Sequence, residues 1–208
     1  MDNTYDIAIV GAGIAGSALA CALTASELSE RKGRNLKIAL IEANKLRSGW
    51  PASGDSINGY DARVSALTAG TQSFLTEIGV WSDISSQRVS AFKQMKVWDA
   101  EGTGSIAFDA AAVRAPVLGH IVENRVTVSA LLNCARSRSA INIFDGQPVA
   151  KLSLEGQGLR GGRLAEQTST SIKRDVLPEV TLQDGSAIRS HLVVAADGAN
   201  SPLRTFLD

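Results

Sequence analysis

The sequence predicts an α/β protein, a parallel sheet with a helical crossover joined to part of a smaller antiparallel sheet. Three observations point there. The apolar run "IAIV" at residues 7–10 stops at a glycine cluster and gives way to helical periodicity. A second apolar run, "IALI" at 38–41, follows a polar connection. Near residue 95 the apolar period falls to two. Short, continuously apolar runs suit parallel strands covered on both faces, whereas alternation suits a sheet with one face open to water.

After the first strand, Ile14, Ala15, Ala18, Leu19, Ala22 and Leu23 recur at helical spacing, which predicts a helix from Ile14 to about Leu28. "SELSERKGRN" is the polar connection to the second strand, and a right-handed crossover sets the two strands parallel as a βαβ unit. "ANKLRSGWPASGDSINGY" at 43–60 has the Gly, Ser, Asn and Pro content of a loop. Residues 69–78 form a helix closed by Gly79, since glycine tolerates the left-handed conformation that ends helices. "KQMKVWD" alternates Met95 and Val97 against Lys96 and Trp98, and "SIAFD" alternates again, so residues 88–116 read as an excursion into a second sheet. A strand at 118–122 precedes a helix marked by Val128, Leu131, Leu132 and Ala135, with Asn124 as its N-cap. Residues 141–194 read as strands joined by turns, with a hairpin signal at "QDG" (183–185) and a polar, Gly-rich loop at 154–175.

Composition excludes several classes of function. Among 208 residues, 21 basic side chains balance 21 acidic ones, so nothing attracts nucleic acid. Cys21 and Cys134 fall in predicted helices without C-x-x-C spacing, which fits free thiols in a reducing compartment. His120 and His191 lack metal-ligand spacing; the one H-x-x-E, His120 with Glu123, has its members on opposite faces of a strand, so no metal site is expected. Trp81 and Trp98 are expected in core or sheet packing. The start "MDNTYDIAIV" has no basic n-region or long apolar stretch, and no run reaches transmembrane length. The expected location is cytoplasmic or peripheral to the inner membrane.

The sites begin with "GAGIAG". Gly11, Gly13 and Gly16 have G-x-G-x-x-G spacing between a strand and a helix. The first glycine permits the tight turn, the second lets backbone N–H groups approach a pyrophosphate at the positive helix end, and the third lets helix pack closely on strand. Glu42 closes the next strand, where a carboxylate can accept from both ribose hydroxyls of an adenosine. It lies 26 residues past Gly16, more than the usual ~20, and the polar connection accounts for the surplus. A dinucleotide fingerprint alone does not separate FAD from NAD(P).

At the far end, "DGANSPLR" places Asp197, Gly198, Ser201 and Arg204 behind a strand. This resembles the D-G-x-x-S-x-x-R fingerprint of flavin-dependent aromatic hydroxylases. "DARVSAL" at 61–67, "MKVWDAEGTGSIAFD", "LGHIVEN" and "ADGANS" resemble segments of the FAD-dependent hydroxylases of ubiquinone biosynthesis, bacterial and mitochondrial. The similarity runs from Tyr5 to about Arg204, the Gly-rich loop excepted, and is greatest to the bacterial enzymes that hydroxylate C5 of a polyprenylated phenol.

That resemblance implies an FAD-binding, Rossmann-like domain with residues 88–116 entering the substrate-domain sheet. It implies NAD(P)H as transient reductant, O₂ as co-substrate, a polyprenylated phenol as substrate and other ubiquinone-biosynthesis proteins as partners. Arg63 would lie by the flavin diphosphate or ring, where a permanent cation holds anionic groups, against the plainer alternatives of a bond to Asp61 or a solvated charge. Asn124 would contact the flavin while capping its helix, and Asp197 would lie by the ribose and diphosphate. No catalytic acid or base can be named, which suits chemistry carried by the cofactor. Family members continue beyond the point matched by Arg204 with a second flavin fingerprint of the G-D-A-A-H type. These residues are therefore expected to be the N-terminal part of an FAD domain, inactive alone. Two other readings are a non-catalytic nucleotide-binding remnant and an NAD-dependent dehydrogenase, the latter disfavoured because no Tyr-x-x-x-Lys is visible. His191, Asp197 and Ser201 suggest a hydrolase, but no G-x-S-x-G elbow accompanies them.

Overall fold

The computed structural model describes residues 4–25, 36–46, 60–154 and 177–206. The chain divides into two compact units, residues 1–48 with 135–208, and residues 49–134.

The first unit is built on a six-stranded sheet. Its strands are β1 (Thr4–Val10), β2 (Ile38–Glu42), β8 (Ile141–Asp145), β9 (Val149–Ser153), β10 (Glu179–Leu182) and β11 (Ala187–Ala195), in the spatial order β8-β2-β1-β11-β10-β9. β8, β2, β1 and β11 run parallel, and β10 and β9 are added antiparallel. The apolar runs are buried as expected of doubly covered strands, with Ala8, Ile9, Ile38, Ala39, Leu40 and Ile41 inaccessible to solvent. Tyr5, Ala8, Val10, Ala39, Ile41, Val180, Leu182, Ile188 and Leu203 form one continuous apolar cluster. The "QDG" signal is a hairpin turn: Gly185 has φ +84°, and the Leu182 N–H donates to Ser186 O at 2.8 Å.

Helix α1 (Ile14–Leu23) follows β1. Its buried face is Gly16, Ser17, Ala20 and Cys21, not the larger residues whose spacing predicts the helix. Small side chains let the helix lie close to the strands, and the buried Ser17 hydroxyl is satisfied by donating to Ala12 O at 2.9 Å. The helix ends at Leu23 with Thr24 as its C-cap, about five residues short of the expected end near Leu28, because the Ala25 N–H donates to Ala22 O at 3.2 Å and closes a tightened last turn. The polar connection and nearly all of the Gly-rich loop lie outside the described residues, as does most of the 43–60 loop.

The second unit holds β3 (Val64–Thr68), α2 (Ala69–Glu77), α3 (Trp81–Ser85), β4 (Val89–Phe92), β5 (Gln94–Trp98), β6 (Ser105–Asp109), β7 (Gly119–Glu123) and most of α4 (Asn124–Ser137). β3, β7 and β4 form a three-stranded antiparallel sheet, and β5 with β6 a separate hairpin. The predicted helix at 69–78 is α2, opened by Thr68, whose hydroxyl accepts from Thr71 N–H, and followed by Gly79 at φ +79°. β3 and α3 lie in stretches without a predicted element; β3 is short and only Leu67 in it is buried. The alternating stretches do pair as antiparallel strands, but Trp98 is 68% exposed, contrary to the expectation of packing. Trp81 does pack, its ring centroid 5.2 Å from that of His120.

A Cβ at Gly16 would run into the carbonyl oxygen of Gly11, a backbone atom unable to rotate aside. Gly16→Ala should therefore destabilise the fold by roughly 1–3 kcal/mol, overriding the ~1 kcal/mol that Gly→Ala gains in a helix. A lowered urea midpoint checks this; an unchanged or raised midpoint contradicts the close packing of α1.

Candidate cofactor site

Parallel pairing brings the C-terminal ends of β1, β2 and β11 to one edge, with Val10 opposite both Ile41 and Ala195. The chain leaves β1 for β2 on one side and returns as β11 on the other. The edge between β1 and β11 is thus where strand order reverses, the place where open α/β sheets bind ligands.

Two turns meet there. The Gly11 N–H donates to Ile41 O and the Ala196 N–H to Val10 O, each at 2.7 Å. Gly11 has φ +105°, and a Cβ on it would strike the Ala196 carbonyl. Gly11 and Gly16 are accordingly required by the protein's own packing. Gly13 is different: its backbone is extended at φ −70°, it is exposed, and a Cβ on it would meet no atom within 4 Å. Neither its dihedrals nor its protein neighbours call for glycine, and open space lies where its side chain would stand. As N-cap of α1 it also offers no side chain to the first-turn amides, which leaves that positive helix end to an outside anion.

Glu42 is anchored to both neighbouring turns. Oε2 accepts from Ala12 N–H at 2.9 Å, and Oε1 from the Asn44 N–H at 3.0 Å and Asn44 Nδ2 at 3.1 Å. A carboxylate has about four acceptor positions, so these bonds leave roughly one for a ribose hydroxyl, not two. Asp145, at the end of β8, accepts from Lys45 Nζ at 2.9 Å and Leu46 N–H at 2.8 Å, which fixes the chain just beyond Glu42. The Lys45 hydrogen bond, aided by the Leu46 amide, holds the Asp145 carboxyl below its usual range.

Behind β11, Asp197 Oδ2 accepts from Ser201 Oγ at 2.8 Å and Leu203 N–H at 3.2 Å, while Ser201 Oγ accepts from Arg204 N–H at 3.1 Å. The Ser and Asp of the fingerprint thereby cap the short helix α5 (Pro202–Thr205). Asp197 Oδ1 makes no hydrogen bond among the described residues. A cleft of about 500 Å³ lies here, lined by Ala15 of α1 and by Ala196, Asp197, Gly198, Ser201 and Arg204.

Arg63 and Asn124 belong to the second unit. The Arg63 side chain is exposed and makes no ion pair among the described residues; its N–H donates to Asp61 Oδ1 at 2.9 Å, so the link to Asp61 is through backbone. Asn124 opens α4, and its Oδ1 accepts from Ser65 Oγ at 2.5 Å, which leaves the amide nitrogen as the donor it can offer. Glu123 has no assigned role in the sequence reading. It is buried, bonded to Arg125 and Asp61, and paired with Arg88. A strand-end glutamate is ordinarily solvated, and two of these three partners are distant in sequence, so no local signal marks it.

A family model described as FAD-NAD(P)-binding matches residues 8–94. PqsL, a probable FAD-dependent monooxygenase from Pseudomonas aeruginosa, shares the fold at a TM-score of 0.62 and 18% identity, over 97% of this chain and 44% of that one. PieE, a flavin-dependent monooxygenase solved with FAD and substrate, aligns at a TM-score of 0.64 and 13% identity, over 99% and 32%. At those identities the likeness shows the fold alone. The strand-end cleft and the match over residues 8–94 fit an FAD- or NAD(P)-binding domain, with the fold seen in flavin-dependent monooxygenases. The mitochondrial ubiquinone biosynthesis monooxygenase COQ6 of Dictyostelium discoideum is 30% identical over 98% of the chain, and the 3-demethoxyubiquinol 3-hydroxylase of Escherichia coli 31% over 96%. Along nearly its whole length the chain is similar to these two ubiquinone-biosynthesis enzymes. It spans about two fifths of the length of those relatives, 39% and 42%. No helix among the described residues is long and apolar enough to cross a membrane.

Gly13→Val should leave folding stability within about 1 kcal/mol, since an N-cap exchange is the only protein term it touches, while FAD affinity falls at least tenfold. Paired urea melts and FAD titrations test this, and undiminished FAD binding would remove the pyrophosphate from this loop. Asp145→Asn should cost no more than about 1 kcal/mol at pH 7, because Lys45 is largely exposed and its pair screened. The Asp145 carboxyl is depressed in the folded state, so its contribution is present above the unfolded value near 4 and is lost as pH falls through the folded one. Wild type and variant should therefore converge in stability once the pH lies below the depressed folded-state value, where Asp145 is protonated in both states. A difference persisting at that acidity would exclude the ionic pair as its cause.

Proposed function

We propose that these residues form the cofactor-binding part of an FAD-dependent aromatic-ring monooxygenase, which uses NAD(P)H and O₂ to hydroxylate a polyprenylated phenol in ubiquinone biosynthesis. The observation that carries this reading is the meeting of two fingerprint loops, Gly11–Gly16 and Asp197–Arg204, at the sheet's switch point, with open space at Gly13. An anionic diphosphate fits there because a side chain would fill the space and the helix end is positive. FAD, when bound, supplies the redox and oxygen-transfer chemistry.

The chain's own residues bind and orient. Gly13 and the first amides of α1 would hold the diphosphate, and Glu42, already fixed by Ala12 and Asn44, would accept from the adenosine ribose. Asp197 would use its free oxygen toward the ribose and diphosphate while the other keeps α5 in place. Arg63 would add a cation beside the anionic or ring portion of the cofactor, and Asn124 an N–H donor. In this reading these 208 residues bind the cofactor without coupled turnover of their own. Other ubiquinone-biosynthesis proteins, and the inner-membrane surface where so apolar a substrate would partition, are the proposed surroundings.

An absorbance spectrum of the purified chain and a substrate-dependent NAD(P)H oxidation assay test this. We expect FAD binding by titration, loss of FAD during purification and no coupled hydroxylation. Stoichiometric retained flavin with product formation would show an autonomous enzyme. No FAD binding at any concentration would favour a non-catalytic remnant. Arg63→Ala and Asp197→Ala should each weaken FAD binding with unfolding still cooperative, and unchanged affinity in either removes that residue from the site.

A further inference from the structure

We infer that Glu123 is a positioning residue for the cofactor site, its buried carboxylate fixing residues 60–63 so that Arg63 is carried on a rigid backbone. The inference rests on the proposed cofactor role of Arg63 and extends it to a residue that touches no cofactor. Glu123 ends β7 and is only 4% exposed. Its Oε2 accepts from the Asp61 N–H at 2.8 Å and from Arg125 Nε at 2.7 Å, and Arg88 Nη2 lies 3.1 Å from Oε1. The same Arg88 guanidinium sits 4.2 Å from the centroid of the Tyr60 ring. The next residue, Asn124, donates its N–H to Arg63 O at 2.9 Å, and the Arg63 N–H donates to Asp61 Oδ1 at 2.9 Å.

These bonds hold Tyr60, Asp61 and Arg63 upstream of the β3–β7 ladder, which begins at Val64 opposite Glu123. Strand pairing does not need them. Nor is a buried carboxylate between two guanidiniums an efficient way to gain stability, because its desolvation offsets much of the attraction and apolar replacements are often as good. What such a group does supply is a fixed geometry, and here that geometry ends on the chain bearing an exposed arginine without an ion-pair partner among the described residues. Ordering that backbone in advance removes an entropy loss that a ligand would otherwise incur on binding.

The experiment is hydrogen exchange on the full chain, resolved to single amides, for Glu123→Leu and Glu123→Gln, with FAD titrations alongside. Glutamine keeps an acceptor for Asp61, and leucine keeps only the volume. In Glu123→Leu the amides of Arg63 and Asn124, neither bonded to Glu123, should exchange about tenfold faster or more, while in Glu123→Gln they stay within roughly threefold of wild type. FAD affinity should weaken at least about tenfold in the leucine variant and recover in the glutamine variant. The double variant with Arg63→Ala should bind FAD no worse than Arg63→Ala alone. Unchanged exchange at Arg63 and Asn124 in a folded Glu123→Leu protein, or equal acceleration in both variants, overturns the proposal. Should Glu123→Leu not fold, Arg88→Ala carries the test: loss of the Tyr60 stack should speed exchange at Arg63 several-fold, and no change there overturns it. If Arg63→Ala leaves FAD affinity intact, the cofactor assignment of Arg63 fails, whereas the exchange result still judges Glu123.

Discussion

The cleft at the strand ends of the first unit depends on the close approach of two turns, the one after β1 and the one after β11. The Ala196 carbonyl occupies the place where a Cβ of residue 11 would stand, and the Ala196 N–H closes the seam by donating to Val10 O. Only glycine meets both conditions at position 11, a positive φ and no side chain. The same turn then presents its own carbonyl to Gly16, so α1 lies against it with nothing between. Once those two glycines are committed to the protein, Gly13 is left above open space, and the Asp197 loop is held beside the same helix end. One packing constraint thus separates two glycines that the fold requires from one that neither its dihedrals nor its protein neighbours require.

That separation bears on how much was legible in the sequence. The strands at 38–42 and 4–10, the glycine turn and the closing glutamate are readable because each signal is local: an apolar run, a φ requirement, a carboxylate at a strand end. The Gly79 stop and the "QDG" hairpin are readable for the same reason. The face of α1 is not, because the helix buries Gly16, Ser17, Ala20 and Cys21, and hydrophobicity points instead to larger neighbours that are only partly covered. Trp98 fails likewise. Its alternation correctly implies a strand, but burial depends on what covers the hairpin, and both strands are exposed at nearly every position. The pairing of β11 beside β1 joins residues 4–10 to 189–195 and has no local signature. The two fingerprints can each be found in the sequence, but their meeting in one cleft follows only from the strand order.

Glu123 shows the same limit in its polar form. A glutamate followed by Asn124 and Arg125 reads as the start of a solvated helix. Arg88 and Asp61, which turn it into a buried junction, lie 35 and 62 residues away in the chain. Charge burial of this kind depends on nonlocal partners, so it becomes visible only when the β3–β7–β4 sheet is assembled.

The polar residues proposed to meet the cofactor are already bonded within the protein, and this governs what substitution can reveal. Glu42 has three bonds inside the protein, two of them to the backbone of the turns it would share with a ribose, so its removal disturbs the site even before any ligand is added. Asp197 divides its carboxylate in the same way, one oxygen capping α5 and the other without a hydrogen-bond partner among the described residues. Loss of cofactor in either variant therefore mixes a missing contact with a loosened frame. Gly13 has no such double duty. Its conformation is open to any residue at φ −70°, and no protein atom crowds it, so whatever a side chain there blocks is something the folded chain itself does not contain.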